Sequence, residues 1–326
     1  MRAFYTDRFV LPLPVGHRFP MVKYARLRER CLAEGVLRPD EVFEPPAATW
    51  DELGLVHEPA YLAAARDGTL TPMEVRRIGF PWSPEMIERS RRSSGATIQA
   101  ARTALDEAAA RGWGIAVNLA GGTHHACPDH GEGFCVFNDA AVAIRVVQRE
   151  GRIRRAVVLD CDVHQGNGTA AAFRGDPSVF TFSIHGARNF PFRKERSSLD
   201  VELPDGADDD VLLSALDLHV PRILEEFRPE LAIYLAGADP WREDRFGRLG
   251  MSKEGLMDRD RLVLGACRDA GVPVAVAMAG GYARDTEDTV DIHLHTIRLC
   301  REMWAEVCAP RRSEPPHPVL NAEFAE

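Results

Sequence analysis

Two carboxylates and an imidazole follow a short apolar run near the middle of the chain. Asp160, Asp162 and His164 are spaced two residues apart, directly after Ala-Val-Val-Leu at 156–159. In an extended chain this spacing directs all three side chains to the same side. Converging acids repel one another without a cation, and Asp/His ligation without a thiolate is typical of a catalytic divalent ion. The sequence therefore predicts a metal site here.

Three further groups with chemical potential follow other apolar runs. His124 and His125 come after Gly121-Gly122, Asp239 follows the run at 231–236, and Tyr282 follows Gly280-Gly281. In open parallel sheets, ligands bind at the carboxyl ends of the strands. Metal ligands, an acid/base pair and a hydroxyl donor at this edge are the components of metal-assisted hydrolysis of a carbonyl group.

The apolar runs themselves predict the fold. Short runs without polar alternation are typical of parallel strands buried on both faces. The expected strands are 114–120, 156–159, 178–185, 231–236 and 272–278. The expected helices are 21–35, 58–67, 83–111 with a break near Ser93-Ser94-Gly95, 139–149, 167–175, a long helix ending near 227, 252–270 and 284–308, with a polar loop over 195–209. This alternation predicts one α/β domain, with a mostly parallel sheet covered by helices on both faces, over residues 1–308. Residues 309–326 are interpreted as a Pro-rich C-terminal extension.

Composition excludes several classes of protein. The chain has 326 residues, 45% hydrophobic and 27% charged, with a net charge of -9. Such a negative balance argues against nucleic-acid binding. The first residues lack the apolar core of a signal peptide, and no run approaches a membrane span, so we expect a cytoplasmic protein. The seven scattered cysteines indicate reduced thiols.

The motifs together resemble the arginase-fold histone deacetylase superfamily. They are Gly121-Gly122-Thr123-His124-His125-Ala126, Gly133-Phe134-Cys135 through Asn138-Asp139, Asp160-x-Asp162-x-His164-Gln165-Gly166-Asn167-Gly168, Ala236-Gly237-Ala238-Asp239 and Gly280-Gly281-Tyr282. They occur in the family's order, and the resemblance covers residues from about 5 to 305. It implies the arginase/deacetylase fold and hydrolysis of an acyl-lysine amide by a metal-activated water.

The resemblance also implies roles for the strand-end residues. Asp162, His164 and Asp239 would bind zinc, although ferrous iron also fits an Asp/His/Asp site. Tyr282 would donate a hydrogen bond to the tetrahedral oxyanion. An inner potassium ion would be held by Asp160 with backbone oxygens of Asp162 and His164, and by Ser183 and Ile184.

His125 would act as general base and then as acid toward the leaving amine, and His124 would assist electrostatically. In the family pattern Asp160 pairs with His124, and the residue at Asn167 pairs with His125. The His-Gln-Gly-Asn-Gly form of this motif resembles the class IV branch. A neutral amide offers no charge to stabilise imidazolium, so we expect His125 to be the less basic of the pair.

The substrate is less well defined by the sequence. Gly133 and Phe134 would line the channel for the lysine stem. Many deacetylases have an acidic residue at the rim that grips the substrate backbone, and the segment from Arg66 to Trp82 offers only Glu74 as a substitute. Class IV relatives are also linked to long-chain acyl groups, so the acyl length stays open, as does the oligomeric state.

The first hypothesis is therefore a deacylase of acyl-lysine in a protein or peptide. The second keeps the chemistry but takes small amides such as acetylpolyamines, although the acidic insertion of polyamine-specific relatives is absent from the sequence. A dimanganese ureohydrolase like arginase, and a non-catalytic acyl-lysine binder, are further alternatives.

Overall fold

A single eight-stranded sheet forms the centre of the computed structural model, which describes residues 1–308. The strands are β1 (Ala3–Phe4), β2 (Val42–Phe43), β3 (Ile115–Asn118), β4 (Ala156–Asp160), β5 (Val179–Gly186), β6 (Leu199–Leu203), β7 (Leu231–Leu235) and β8 (Val274–Ala277). Their order across the sheet is β2-β1-β3-β8-β7-β4-β5-β6. Each pairing between neighbours is parallel, which confirms the predicted sheet.

Helices cover both faces of this sheet. They are α1 (Lys23–Ala33), α2 (Trp50–Leu53), α3 (Pro59–Asp67), α4 (Pro72–Ile78), α5 (Pro84–Arg111), α6 (Asp139–Arg149), α7 (Asn167–Ala172), α8 (Asp209–Phe227), α9 (Lys253–Asp269) and α10 (Thr286–Cys308). Several begin at side-chain caps, because Ser83, Asn138, Asp208 and Ser252 each accept a hydrogen bond from a first-turn N–H.

The strands are apolar on both sides because each side faces a different helical layer. In β4, Val157 and Leu159 pack in the core that includes α8, α9 and α10. Ala156 and Val158 point the other way, into the core shared with α5 and α6. All these residues are at most 1% exposed, so the strand shows no polar alternation.

The register of the sheet aligns the strand ends that carry chemistry. Asn118 pairs with Ala277 at the end of β8, and Ala277 pairs with Leu235 at the end of β7. Asp160, at the end of β4, is paired with Leu235 on one side and with Ser183 on the other. The segments that follow β3, β8, β7 and β4 therefore leave the sheet side by side.

Two local predictions were wrong, and one short helix was not predicted. The expected loop over 195–209 contains β6, an edge strand in which Asp200 is half-exposed and Glu202 is exposed. Helix α5 continues through Ser93-Ser94-Gly95 without a break. Gly95 is required there by close packing, since a Cβ would lie 1.9 Å from the carbonyl oxygen of Pro46. Helix α4 occupies part of the segment between Arg66 and Trp82.

Other expectations depend on which residues are described. The proposed extension over 309–326 lies outside the described residues. Within residues 1–308 all seven cysteines are free thiols, as the scattered spacing predicted. The helices of this part of the chain include none that is both long and apolar enough to cross a membrane.

Candidate active site

Asp162, His164 and Asp239 bring three potential metal ligands together at the carboxyl edge of the sheet. One donor atom from each lies within 4.8 Å of the others, and all three residues are buried. His164 Nδ1 is 2.9 Å from Asp162 Oδ1 and 3.2 Å from Asp239 Oδ2. Despite that approach, Asp239 Oδ2 makes no hydrogen bond within residues 1–308. Burial and the nearby Asp162 carboxylate raise the pKa of Asp239 to about 7. This buried donor set fits a divalent cation, which would relieve the repulsion between the two acids.

Gly280 and Gly237 pack directly against these ligands, where a larger residue would overlap them. A Cβ at Gly280 would lie 1.9 Å from Asp239 Oδ2 and 2.5 Å from Asp162 Oδ2. The Gly280 N–H donates to Asp162 Oδ2 over 2.7 Å. At Gly237 a Cβ would lie 2.8 Å from Asp162 Cα. The Gly-Gly and Gly-Ala-Asp motifs therefore shape the metal-ligand cluster itself.

His124 and His125 lie beside this cluster and have different partners. His124 Nδ1 is 2.7 Å from Asp160 Oδ2, and His125 Nδ1 is 2.6 Å from Asn167 Oδ1. Because both partner oxygens can only accept, each Nδ1 carries a proton. The two Nε2 atoms are 3.2 Å apart, so a protonated His124 can donate to the free Nε2 of His125.

The pKa values of the two histidines move in opposite directions. Burial opposes the charge on His124, but the carboxylates of Asp160 and Asp162 outweigh it and raise the pKa to about 9. Burial, followed by the positive charges of His124 and His164, lowers the pKa of His125 well below its usual value. The expectation that His125 is the less basic of the pair agrees with these directions.

Asn167 is itself oriented by a carboxylate. Its Nδ2 donates to Glu132 Oε1 over 3.0 Å. An amide with its nitrogen fixed in this way must present its oxygen to His125. A chain of contacts therefore links Glu132 through Asn167 to the second histidine.

Tyr282 lines a cavity together with His124, His125 and His164, and its backbone is held by hydrogen bonds. Its N–H donates to Asp244 Oδ2 over 2.6 Å, and its carbonyl accepts from Arg245 Nε over 2.8 Å. The ammonium of buried Lys23 lies 5.1 Å from the Tyr282 ring centroid and donates to the carbonyl of Gly281 over 3.1 Å. Burial, and then the charge of Asp239, raise the pKa of the phenol well above its usual value, so it stays a donor at neutral pH.

Phe134 and Phe190 line the cavity outside these groups. The cavity has a volume of about 1080 Å³. The Phe190 ring packs edge-on against His125 with centroids 4.9 Å apart. Gly133 has φ +56°, and a Cβ there would lie 2.7 Å from His125 Cδ2. Phe134 also has a positive φ of 66°, which turns this loop back toward Tyr282, whose ring centroid is 6.1 Å away.

The residues expected to hold potassium lie directly behind the histidine pair. Asp160 Oδ1 accepts from the Asp162 N–H over 3.2 Å, and Asp160 pairs with Ser183 across the sheet. Ser183 Oγ is 2.9 Å from His185 Nδ1, and Ile184 is buried in the next position of β5. The candidate ligands therefore lie at and after the carboxyl end of β4, and beside that end in β5.

Comparison with known proteins identifies the family. A sequence model of the histone deacetylase domain matches residues 17–297. Histone deacetylase 2 of Arabidopsis thaliana is 30% identical over 279 residues, which are 83% of this chain and 70% of that protein. The chain belongs to the histone deacetylase family.

Other relatives extend the comparison. An uncharacterized protein of a Picosynechococcus strain is 46% identical over 302 residues, covering 92% of this chain and 98% of that one. The solved structure of a histone deacetylase homolog complexed with SAHA has a TM-score of 0.77 at 24% identity, over 94% of this chain and 82% of the other. At that identity the structure supports the deacetylase fold alone. The class IV assignment stays a prediction.

Several residues around the candidate site were missed from the sequence. Asp139 accepts hydrogen bonds from Gly122 N and Thr123 N at 3.0 and 2.7 Å, and so holds the loop that carries the histidines. Asp244, Glu132 and Phe190 act through contacts with distant segments. Asn138, by contrast, caps α6.

Glu74 is not a rim acid. Its carboxylate accepts from the N–H and hydroxyl of Thr71 at 2.7 and 2.6 Å, closing a capping box at the start of α4. The suggested substitute for the deacetylase rim residue is therefore already engaged in capping a helix.

Proposed function

We propose that this chain is a metal-dependent amidohydrolase that removes acetyl or longer acyl groups from lysine side chains. The observation that carries this proposal is the histidine pair, because its two members have different partners beside one donor set. A neutral imidazole next to a protonated one suits proton transfer to and from a water and an amine. Family membership and the shared cavity with Tyr282 support the same chemistry.

Asp162, His164 and Asp239 would hold the metal. When bound, a zinc ion supplies Lewis-acid activation of water and of the substrate carbonyl. Ferrous iron also suits these donors. Asp160, together with backbone oxygens of Asp162 and His164, and with Ser183 and Ile184, would hold a structural potassium ion.

His125 serves as the base. With a proton on Nδ1 and none on Nε2, it accepts the proton of the attacking water and then delivers it to the lysine nitrogen as the C–N bond breaks. His124 remains protonated through its pairing with Asp160 and stabilises negative charge near the reacting carbonyl. The products are the free lysine amine and a carboxylic acid.

Tyr282 donates its hydroxyl proton in a hydrogen bond to the oxyanion as it forms. Phe134 and Phe190 exclude water from the methylene stem of the lysine. Gly133 keeps the approach to His125 open, since any Cβ there would crowd the imidazole.

A parallel assay of three amides tests the proposal. Zinc-loaded protein would be given an acetyl-lysine peptide, a long-chain acyl-lysine peptide and an acetylpolyamine. We expect release of the acid from at least one peptide and none from an Asp162→Asn variant. Hydrolysis of the polyamine alone would favour the small-amide alternative. Turnover of none of them would contradict the proposal, and tight peptide binding without turnover would then indicate a non-catalytic binder.

A further inference from the structure

The mouth of the candidate active site is lined by six exposed arginines, here called the arginine rim. They are Arg18, Arg76, Arg77, Arg188, Arg245 and Arg248. Single surface arginines need no ligand, since charged side chains are normally exposed. Six arginines around one cavity mouth are a local concentration of positive charge, although the net charge of the chain is -9.

Two of these arginines share one aromatic ring beside Tyr282. The guanidinium carbons of Arg18 and Arg245 lie 5.5 and 5.7 Å from the Phe246 ring centroid. Arg245 also donates to the carbonyls of Tyr282 and Arg18, at 2.8 and 3.0 Å. These contacts fix the guanidinium groups through neutral partners, so both positive charges stay available.

Another pair approaches from helix α4. Arg76 and Arg77 lie in its last turn, and the carbonyl of Arg77 accepts from the N–H of Gly133 over 3.1 Å. This contact ties the pair to the wall of the channel. Neither guanidinium forms an ion pair with any carboxylate in the part of the chain that the structure describes, residues 1–308.

The remaining two are only partly compensated. Arg188 and Arg248 share a single carboxylate, Asp205, at 3.8 and 3.3 Å. The carboxylates that line the cavity are Glu132 and Asp162. Glu132 accepts from Asn167, and Asp162 belongs to the metal-ligand cluster. The rim therefore carries an excess of positive charge.

From this arrangement we propose that the substrate carries carboxylates next to the acylated amine, as an acyl-lysine flanked by acidic residues does. This inference rests on the proposed deacylase function and names its substrate class. Guanidinium groups bind carboxylates in bidentate geometry, and a positive rim attracts an anionic substrate over a distance. The same rim repels a lysine-flanked peptide or an acetylpolyamine, which carry positive charge at the same place.

Three peptides of equal length test the preference, each with a central acetyl-lysine flanked by Glu, Gln or Lys. Both kcat/KM and binding to the zinc-loaded full chain would be measured, binding by fluorescence anisotropy. We expect the Glu-flanked peptide to exceed the Lys-flanked one by about tenfold in kcat/KM, because several exposed ion pairs each add a small factor. The difference should shrink in high salt, which screens exposed charges.

A charge reversal on the rim sharpens the test. The double change Arg76→Glu with Arg77→Glu should invert the order of the Glu- and Lys-flanked peptides, with each kcat/KM expressed relative to that of the Gln-flanked peptide in the same variant. The matched control is Arg149→Glu with Arg222→Glu, which alters net charge equally. These residues lie toward the carboxyl ends of α6 and α8, which return to the opposite edge of the sheet. The control should keep the original order.

Hydrolysis of free Nε-acetyl-lysine is then compared with hydrolysis of its α-carboxamide. The comparison shows whether the rim binds the α-carboxylate of a small molecule or the acidic side chains of a peptide. Hydrolysis of all three peptides at equal rates, or preference for Lys flanks, would overturn the rim inference and leave the deacylase proposal intact. If no amide is hydrolysed but binding still favours Glu flanks and inverts in the rim variant, the rim inference stands and the deacylase proposal fails.

Discussion

His124 and His125 are adjacent in the chain, yet their partners give them different protonation. The carboxylate of Asp160 stabilises the protonated form of His124. The amide of Asn167 orients the ring of His125 without adding charge. The pairing of each histidine was expected from the motif. The role of Glu132 was not, because its contact with Asn167 joins segments 35 residues apart and no local pattern marks it.

Exchanging the amide for a carboxylate should change the pH dependence of the reaction. In the variant Asn167→Asp with Glu132→Gln, the new amide at 132 donates to the new acid at 167, so the hydrogen bond is kept with its direction reversed. The negative charge then raises the pKa of His125, by about one unit. Activity requires neutral His125, so the acidic limb of kcat/KM against pH should move upward. Glu132→Gln alone is the control, and an unmoved limb in the double variant would disprove the assigned role of Asn167.

Glu132→Ala tests the orientation of the amide. Without an acceptor for its nitrogen, Asn167 is free to turn its NH2 group toward His125, where it cannot accept the Nδ1 proton. We expect kcat to fall by about tenfold with little change in KM, as a lost orienting contact beside a catalytic group typically costs 10- to 100-fold. Glu132→Gln can still accept through its carbonyl oxygen and should restore most of the activity. Equal losses in both variants would indicate a general structural role instead.

Tyr282→Phe removes the proposed oxyanion donor and leaves the ring contacts. The expected loss is about 10²- to 10³-fold in kcat, the usual cost of one such donor. Metal content should not change, because the phenol is outside the donor set of Asp162, His164 and Asp239. Metal analysis of the variant supplies that control. Full activity in Tyr282→Phe would refute the role.

At the level of elements, the strand ends were predictable from the sequence. Edge strand β6 and the unbroken course of helix α5 were not. Buried runs such as 156–159 are apolar on both faces, and the residues after them are glycine, acid or histidine. Edge strand β6 has exposed positions, so its sequence resembles a polar loop. The Ser93–Gly95 stretch resembles a break in a helix, but its small residues serve contact with the segment at Pro46, which only the tertiary structure reveals.

The turn after β8 gives a prediction at this scale. In Gly280→Ala the added Cβ meets both acids of the metal-ligand cluster, 1.9 Å from Asp239 Oδ2 and 2.5 Å from Asp162 Oδ2. We expect loss of bound zinc, measured by metal analysis of folded protein. Gly265→Ala is the matched control, because it lies within α9 and no atom approaches within 4 Å of the added Cβ. That change should keep the metal and stabilise the fold by about 0.5–1 kcal/mol. Retained zinc in Gly280→Ala would show that the turn can shift.

Across the whole molecule, the arginine rim stands out as a local group of positive charge in an acidic chain. The chain carries a net charge of -9, while the arginine rim gathers six guanidinium groups at one cavity mouth. Inside that mouth the charge reverses again at the buried acids Asp160, Asp162 and Asp239. These acids were visible in the sequence. The rim was not, because its arginines come from four separate segments that only the fold assembles.

Metal binding should therefore stabilise the whole fold. A cation that binds only the folded chain adds about 2.7 kcal/mol at a free concentration 100 times its Kd. For a domain of this size that raises Tm by about 4 °C.

Because burial and Asp162 raise the pKa of Asp239 to about 7, protons compete with the cation at that carboxylate. The rise in Tm should consequently be larger above pH 7 than below it. Calorimetry of chelator-treated and zinc-loaded protein measures the difference, and Asp239→Asn, which lacks the charge, should lose most of it. Zinc-independent Tm would contradict a metal at this site, and two manganese ions per chain would favour the arginase-like alternative.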